Sequence, residues 1–194
     1  MDSIQESLRH LFTLKPEEVD LFLSGFVHIT MAKGEFFVRP GEICQKIGII
    51  SQGLMACTYV KDGKEIIEEF AFEGHFISNY YSFLTKLPSE KEIRCLEDCS
   101  IYLIDRPGLM SLGAKHSFVE SMSSKMNEFL FLRSHDRVRS LLVDSALTRY
   151  QKLMVQRPDL VQRIPQYMLA SYLNIQPETL SRIRKRIAQK GFID

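Results

Sequence analysis

The chain has 194 residues, 45% of them hydrophobic and 25% charged, with a net charge of +1. That is enough apolar material for one or two ordinary cores. No charged leader runs into an apolar segment and no apolar run approaches about 18 residues, which argues against secretion or a membrane span and for a cytoplasmic protein. The charge is uneven: residues 1–132 carry 13 Lys/Arg against 19 Asp/Glu, and residues 133–194 carry 12 against 5. A polyanion is therefore an expected partner of the C-terminal part alone.

The first 25 residues read as two short helices. Leu8, Leu11 and Phe12 have helical spacing, and Pro16 suits a first-turn position followed by Glu17, Glu18 and Asp20 near a positive helix end. From Phe26 to about Ile104 the texture changes to short strands such as Phe36-Phe37-Val38, Ile47-Gly48-Ile49-Ile50 and Ile66-Ile67. Turn signals separate them, among them Arg39-Pro40-Gly41 and Lys61-Asp62-Gly63-Lys64. The second has the Asp-Gly pair of a two-residue hairpin. Many short, evenly spaced strands indicate a sandwich or small barrel.

Helical periodicity returns after Arg106-Pro107. Val119, Met122, Met126 and Phe129 follow a 3-4-3 spacing and form one apolar seam, which can serve the protomer's own core or a dimer. Near Arg133-Ser134-His135-Asp136 the pattern breaks, and Ser134 or Asp136 is a candidate cap for a new helix from Arg137. This places a domain boundary between residues 135 and 136. Val138, Leu141, Leu142, Ala146 and Leu147 make that helix amphipathic until Arg157-Pro158-Asp159.

From Ile164 the sequence predicts a helix-turn-helix. Pro165 pre-sets the first helix start, Met168, Leu169, Tyr172 and Leu173 give it an apolar face, and Ala170 permits close approach of a second helix. Asn174 tolerates the left-handed turn, and Pro177 suits N1 of the second helix with Gln176 as its cap. Leu180, Ile183 and Ile187 point inward. Glu178, Ser181, Arg182 and Lys185 lie opposite, flanked by Thr179, Arg184 and Arg186. In a helix laid into the major groove of double-stranded DNA, Arg182 suits a guanine and Glu178 a cytosine amine, while Arg184, Lys185, Arg186 and Lys190 suit phosphates.

At this point the chain resembles the cyclic-AMP receptor/FNR (Crp/Fnr) regulators. The most specific match is Leu169-Ala170-Ser171-Tyr172-Leu173-Asn174-Ile175 followed by Glu178-Thr179-Leu180-Ser181-Arg182. Upstream, Lys33-Gly34-Glu35-Phe36-Phe37-Val38-Arg39-Pro40-Gly41-Glu42, Gly53 and Phe72-Glu73-Gly74-His75-Phe76-Ile77 resemble the cyclic-nucleotide-binding β-roll. The resemblance implies an α+β chain: a β-roll (jelly-roll) sensor with a long dimerisation helix in residues 1–135, then a winged-helix-type helix-turn-helix domain in 136–194. The wing is expected to be truncated, because little sequence follows the recognition helix. It also implies a homodimer that reads a near-palindrome with its two recognition helices roughly 34 Å apart, and it assigns the Val119/Met122/Met126/Phe129 seam to that dimer. Gln176, Glu178, Thr179, Ser181, Arg182, Arg184 and Lys185 are the expected DNA-binding residues.

The nucleotide-binding pattern then fails. Where nucleotide-binding members carry Gly-Glu, this chain has Ser78-Asn79, and where they carry Arg-Ser ten residues on, it has Ser89-Glu90. An anion needs cationic or amide donors, and a carboxylate there opposes it. Lys86 and Lys91 are nearby but lack the planar fork of arginine. A small-molecule effector would be met by Phe72, Ser78, Asn79, Tyr80, Ser89 and Glu90, and cyclic AMP in the usual mode is not expected. No cofactor or metal is implied. Cys44, Cys57, Cys95 and Cys99 form no CxxC pair and read as buried, reduced thiols. Cys95 and Cys99, four apart, would face one way on a single strand and offer two ligands, not the four of an iron–sulfur cluster. The absence of HExxH, P-loop and GxSxG motifs argues against an enzyme. The alternative to a DNA-binding regulator is a sensor or interaction module of the same fold without DNA binding.

Overall fold

The structure, a computed structural model, describes residues 2–190. It forms two compact units, Met1–Tyr59 with Glu68–Phe129, and Val60–Ile67 with Leu130–Asp194.

The first unit opens with α1 (Asp2–Phe12) and α2 (Pro16–Leu23). Pro16 begins α2 as expected, and the Glu18 carboxylate accepts the Lys15 N–H at 2.8 Å, satisfying a helix-end donor that has no partner in the helix. Among the described residues, eight strands follow: β1 (Val27–Met31), β2 (Phe36–Val38), β3 (Lys46–Gln52), β4 (Leu54–Lys61), β5 (Lys64–Phe72), β6 (Phe76–Ile77), β7 (Lys91–Cys95) and β8 (Cys99–Asp105). They form two four-stranded sheets, β1-β8-β3-β6 and β2-β7-β4-β5. The hairpin joining β4 to β5 turns on Asp62 (φ 51°) and Gly63 (φ 72°). Both angles are positive, as a two-residue turn matched to the strand twist requires.

Strand alternation sends β3 side chains to two different cores. Ile50 joins Phe37, Met55, Ile93 and Ile101 in one apolar cluster. Ile49 faces the other way and joins Ile4, Leu8, Phe12, Val19, Phe22 and Ile104 from α1, α2 and β8. Each such side chain contributes about 1.5–3 kcal/mol on leaving water. Between β6 and β7 lies α3 (Tyr80–Thr85), capped by Asn79 and ended by Lys86 in the left-handed region (φ 61°). After β8 come α4 (Arg106–Lys115), capped by the Asp105 carboxylate, and α5 (Phe118–Val143).

Three sequence-based expectations change here. Val119 and Met122 are each only 4% exposed and lie in the cluster with α1 and α2, with Met126 packed against it, so these three are taken up by the protomer's own core and do not form an open seam. Phe129, the fourth, is partly exposed. The break expected at Ser134 and Asp136 does not occur. α5 runs unbroken to Val143 because no Gly or Pro interrupts residues 118–143 and the polar side chains at 134–136 are exposed on its surface. The expected boundary at 135/136 therefore falls inside a helix, and the compact units divide at Phe129/Leu130. Finally, Cys95 ends β7 and Cys99 begins β8, so they sit in different sheets and not on one strand.

The second unit contains the end of α5, the hairpin tip 60–67, α6 (Ala146–Gln156), α7 (Pro158–Arg163), α8 (Gln166–Tyr172) and α9 (Pro177–Lys190). The true break lies at Asp144-Ser145, where the Ser145 hydroxyl accepts the Thr148 N–H at 3.1 Å and starts α6. Tyr150, Leu160, Ile164, Met168, Leu169, Leu173 and Leu180 form its buried interior. Among the described residues no helix is long and apolar enough to cross a membrane. The expected truncated wing, residues 191–194, and the Lys190 side chain lie outside the described residues.

Candidate nucleic-acid interface and effector pocket

The two helices α8 and α9 are joined by a turn whose geometry follows from one residue. Asn174 has φ 53°, which lets the chain reverse while keeping its hydrogen bonds. The Ile175 N–H donates to Ala170 O at 3.0 Å and the Asn174 N–H to Ser171 O at 2.9 Å. These are the two bonds of a Schellman cap. Further carbonyls at this helix end take arginines. Arg137 on α5 donates to Tyr172 O and lies over the Tyr172 ring, 4.0 Å from its centroid. Arg149 on α6 donates through Nε to Leu173 O at 3.1 Å and through a second nitrogen to Asp144 O at 2.6 Å. Ser171, on α8, accepts the Ile67 N–H at 3.0 Å and donates to Glu65 O at 3.1 Å, bonding the hairpin tip of the same unit. Sequence reasoning missed all three residues, since their bonds at and from α8 join partners 24 to 106 residues apart.

Pro177 starts α9 as expected, with the Thr179 N–H and Leu180 N–H both donating to Gln176 O. Leu180 is completely buried, and Ile183 and Ile187 are half-buried along the same side. That fixes which face is open. Gln176, Glu178, Ser181, Arg182, Lys185 and Arg186 are exposed, while Thr179 and Arg184 are half-buried. Burial pushes the phenol of the buried Tyr150 up, and the Arg184 charge opposes that shift. Among the charged residues expected to bind DNA, Arg184 is the half-buried one.

In the first unit the expected effector residues are brought together in part. The Asn79 amide donates to the Ser89 hydroxyl at 2.6 Å, and the Asn79 carbonyl oxygen accepts the Ser82 N–H at 3.3 Å. Ser89 passes its own proton to Lys91 O. Ser78 donates to Lys46 O at 2.9 Å and lies 3.4 Å from Cys44 Sγ. Tyr80 donates to the Asn127 side chain on α5 at 2.7 Å, and Phe72 packs on the His75 ring, 3.7 Å between centroids. Glu90 is exposed, away from the buried Asn79 and Ser89.

Lys91, next to this network, has a side chain that is 15% exposed and paired with Glu68. Burial pulls the Lys91 ammonium down, but the Glu68 carboxylate together with Cys57 and Tyr59 outweighs it and the net shift is upward. Lys91 also lies over the Tyr59 ring, 5.8 Å from its centroid. The Asn79 and Ser89 polar groups are therefore bonded to one another, Lys91 has its own carboxylate, and no guanidinium stands at position 89. These residues do not fit a cyclic phosphate.

A family model for the cyclic nucleotide-binding domain matches residues 28–116. No curated protein matches the chain by sequence. Solved structures do match by fold. FixK2 from Bradyrhizobium japonicum superposes with a TM-score of 0.74 at 15% identity, covering 87% of this chain and 87% of that one. The c-di-GMP-responsive global regulator CLP of Xanthomonas campestris gives a TM-score of 0.70 at 14% identity over 93% of this chain and 95% of that one. A protein from Eubacterium rectale assigned to the Crp/Fnr transcriptional regulators gives 0.68 at 14% identity, over 94% and 87%. Residues 28–116 thus match the cyclic nucleotide-binding domain model, and the chain is similar in fold to these solved Crp/Fnr-type structures.

Proposed function

We propose that this protein is a homodimeric, DNA-binding transcriptional regulator of the Crp/Fnr type whose sensor domain no longer takes cyclic AMP in the usual way. The observation that carries the proposal is the open face of α9, where Glu178, Ser181, Arg182 and Lys185 stand exposed opposite a fully buried Leu180, on a helix set by the Asn174 turn. Such a helix presents hydrogen-bonding side chains to base edges and cations to phosphates. The surplus of Lys/Arg in residues 133–194 supplies the attraction to a polyanion.

The dimer is assigned to the outer face of α5. Phe131, His135, Val138 and Leu142 repeat at 4-3-4 spacing, all exposed, opposite the half-buried Arg133 and Arg137. Phe131 and His135 already stack, 6.4 Å between ring centroids. An apolar stripe at that spacing matches a two-helix seam.

Operators selected from a random duplex library should bind the wild-type chain in a mobility-shift assay, with affinity falling steeply as salt rises. Arg182→Ala should weaken that binding. Equal retention of DNA by wild type and variant, insensitive to salt, would favour the module without DNA binding.

A further inference from the structure

We propose that Arg137 and Arg149 are positioning residues for DNA reading: their guanidinium groups tie the carboxyl end of α8 to α5 and so set the separation of the two recognition helices in a dimer. The inference rests on the dimeric, DNA-binding reading above. A helix end leaves its last carbonyls without partners inside the helix. At α8, nevertheless, each carbonyl from Leu169 to Leu173 has a donor. The Leu173 N–H donates to Leu169 O at 3.0 Å, and the Asn174 turn supplies N–H groups to Ala170 O and Ser171 O. The remaining two, Tyr172 O and Leu173 O, are met by the Arg137 and Arg149 side chains. Leu173 is 1% exposed, so water is a poor replacement for the Arg149 donor. Both cations also stand at the negative end of the α8 dipole.

The two arginines start from different helices and reach the same one. Arg137 projects from α5 on the side away from the stripe of Phe131, His135, Val138 and Leu142. Its guanidinium bonds Tyr172 O and lies 4.0 Å from the centroid of the Tyr172 ring. A planar guanidinium can donate and stack at once, which an ammonium cannot. Arg149 projects from α6 and also donates to Asp144 O at 2.6 Å, and Asp144 directly follows α5. The Asp144 carboxylate in turn accepts bonds from Ser140 Oγ and Lys152 Nζ, each at 2.7 Å. Side chains therefore join the end of α5, α6 and the end of α8 at one place.

The Asn174 turn and the buried Leu180 make α9 follow α8. One side of α5 then decides where the partner protomer lies, and the arginines on the other side decide where α9 points. Loosening this joint changes the separation of the two α9 copies while every side chain of the α9 open face stays in place. Two linked readers outdo one only when both engage together. Adding one base pair between half-sites moves them apart by about 3.4 Å and turns one by roughly 35°. Spacing preference therefore reports the rigidity of the joint.

The test uses operators selected by the full-length wild-type chain. Duplexes carry the native centre, a centre one base pair longer or shorter, or a single half-site, and fluorescence anisotropy measures binding to each. The wild-type chain should favour the native centre by about tenfold. Arg137→Met and Arg149→Met keep an unbranched apolar stem without the donors. Each should cut that preference to about twofold and weaken full-operator binding about tenfold, with half-site affinity within about twofold of wild type. Arg137→Lys, which keeps the charge but not the fork, should fall between. An unchanged spacing preference in the methionine variants overturns the proposal, and so does half-site binding that falls in step with the full operator. If circular dichroism shows the methionine variants unfolded, Arg137→Lys decides, and a wild-type spacing preference in it overturns the proposal. A wild-type chain that selects no operator, or single half-sites alone, instead defeats the dimeric DNA-binding reading, and the role of the arginines falls with it.

Discussion

The dimer face proposed on α5 is open to a direct test by substitution. Leu142 is 80% exposed in the single chain. Leu142→Ala removes about three methylene equivalents, worth about 0.8 kcal/mol each when buried. Scaled by that exposure, the loss is about 2 kcal/mol per copy. A symmetric dimer loses it twice, about 4 kcal/mol, or roughly a thousandfold in dimer dissociation constant. Met122→Ala is the matched control. Met122 is 4% exposed and packs with Val119 and the α1–α2 helices. Its truncation should cost the fold about 2–5 kcal/mol and lower the melting temperature, while leaving the dimer constant within a few-fold. Sedimentation equilibrium over a concentration series reads the first quantity and thermal unfolding the second. If Leu142→Ala leaves dimerisation unchanged while Met122→Ala abolishes it, the assignment of faces on α5 is wrong.

Arg182→Ala should cost about 1–3 kcal/mol of operator affinity and relax preference at one base pair, whereas Lys185→Ala should weaken all sequences alike and reduce the salt slope by about one; fluorescence anisotropy at several salt concentrations separates the two. Asn174 sits at φ 53°, so Asn174→Gly should be tolerated, while Asn174→Ala should cost about 1 kcal/mol in urea unfolding; equal stability of both variants would contradict the role given to this turn. Hydrogen bonds from Lys152 and Ser140 hold the Asp144 carboxyl below its ordinary value. A depressed folded pKa stabilises the fold above the unfolded pKa, near 3.9, and that contribution disappears as pH falls through the folded value. Asp144→Asn should therefore flatten the acid limb of the stability–pH profile below about pH 4, and an unchanged limb would refute the pairing. Calorimetric titration with cyclic AMP should show no saturable binding at micromolar concentrations; saturation there would show that the Asn79–Ser89 pair opens to admit an anion.

Where a local rule sufficed, the sequence alone determined the outcome. Asp62-Gly63 makes a hairpin because both residues accept positive φ. Asn174 and Pro177 fix the turn and the start of α9, so its inward and outward faces were readable from spacing in the chain. Asn79 and Ser89, paired in the sequence by their ten-residue spacing, meet at 2.6 Å.

Other features required the folded chain, because they depend on residues distant in sequence. An apolar stripe on α5 states that something covers it but not what, and only the arrival of α1 and α2 assigns Val119 and Met122 to the protomer's own core. Ser134 and Asp136 are good caps and also acceptable on an exposed helix surface, and the packing of the half-buried Arg133 and Arg137 accompanies the second outcome. Arg137 and Arg149 counted only as positive charge until the end of α8 came within reach of their guanidinium groups. Even α9 divides this way: its charge pattern identified a helix able to face a polyanion, but only the folded unit leaves Arg184 half-buried while Arg182 and Lys185 stay exposed. Local rules act through backbone dihedrals and nearest neighbours, whereas which of two equivalent faces is buried is decided by the surface that arrives to cover it.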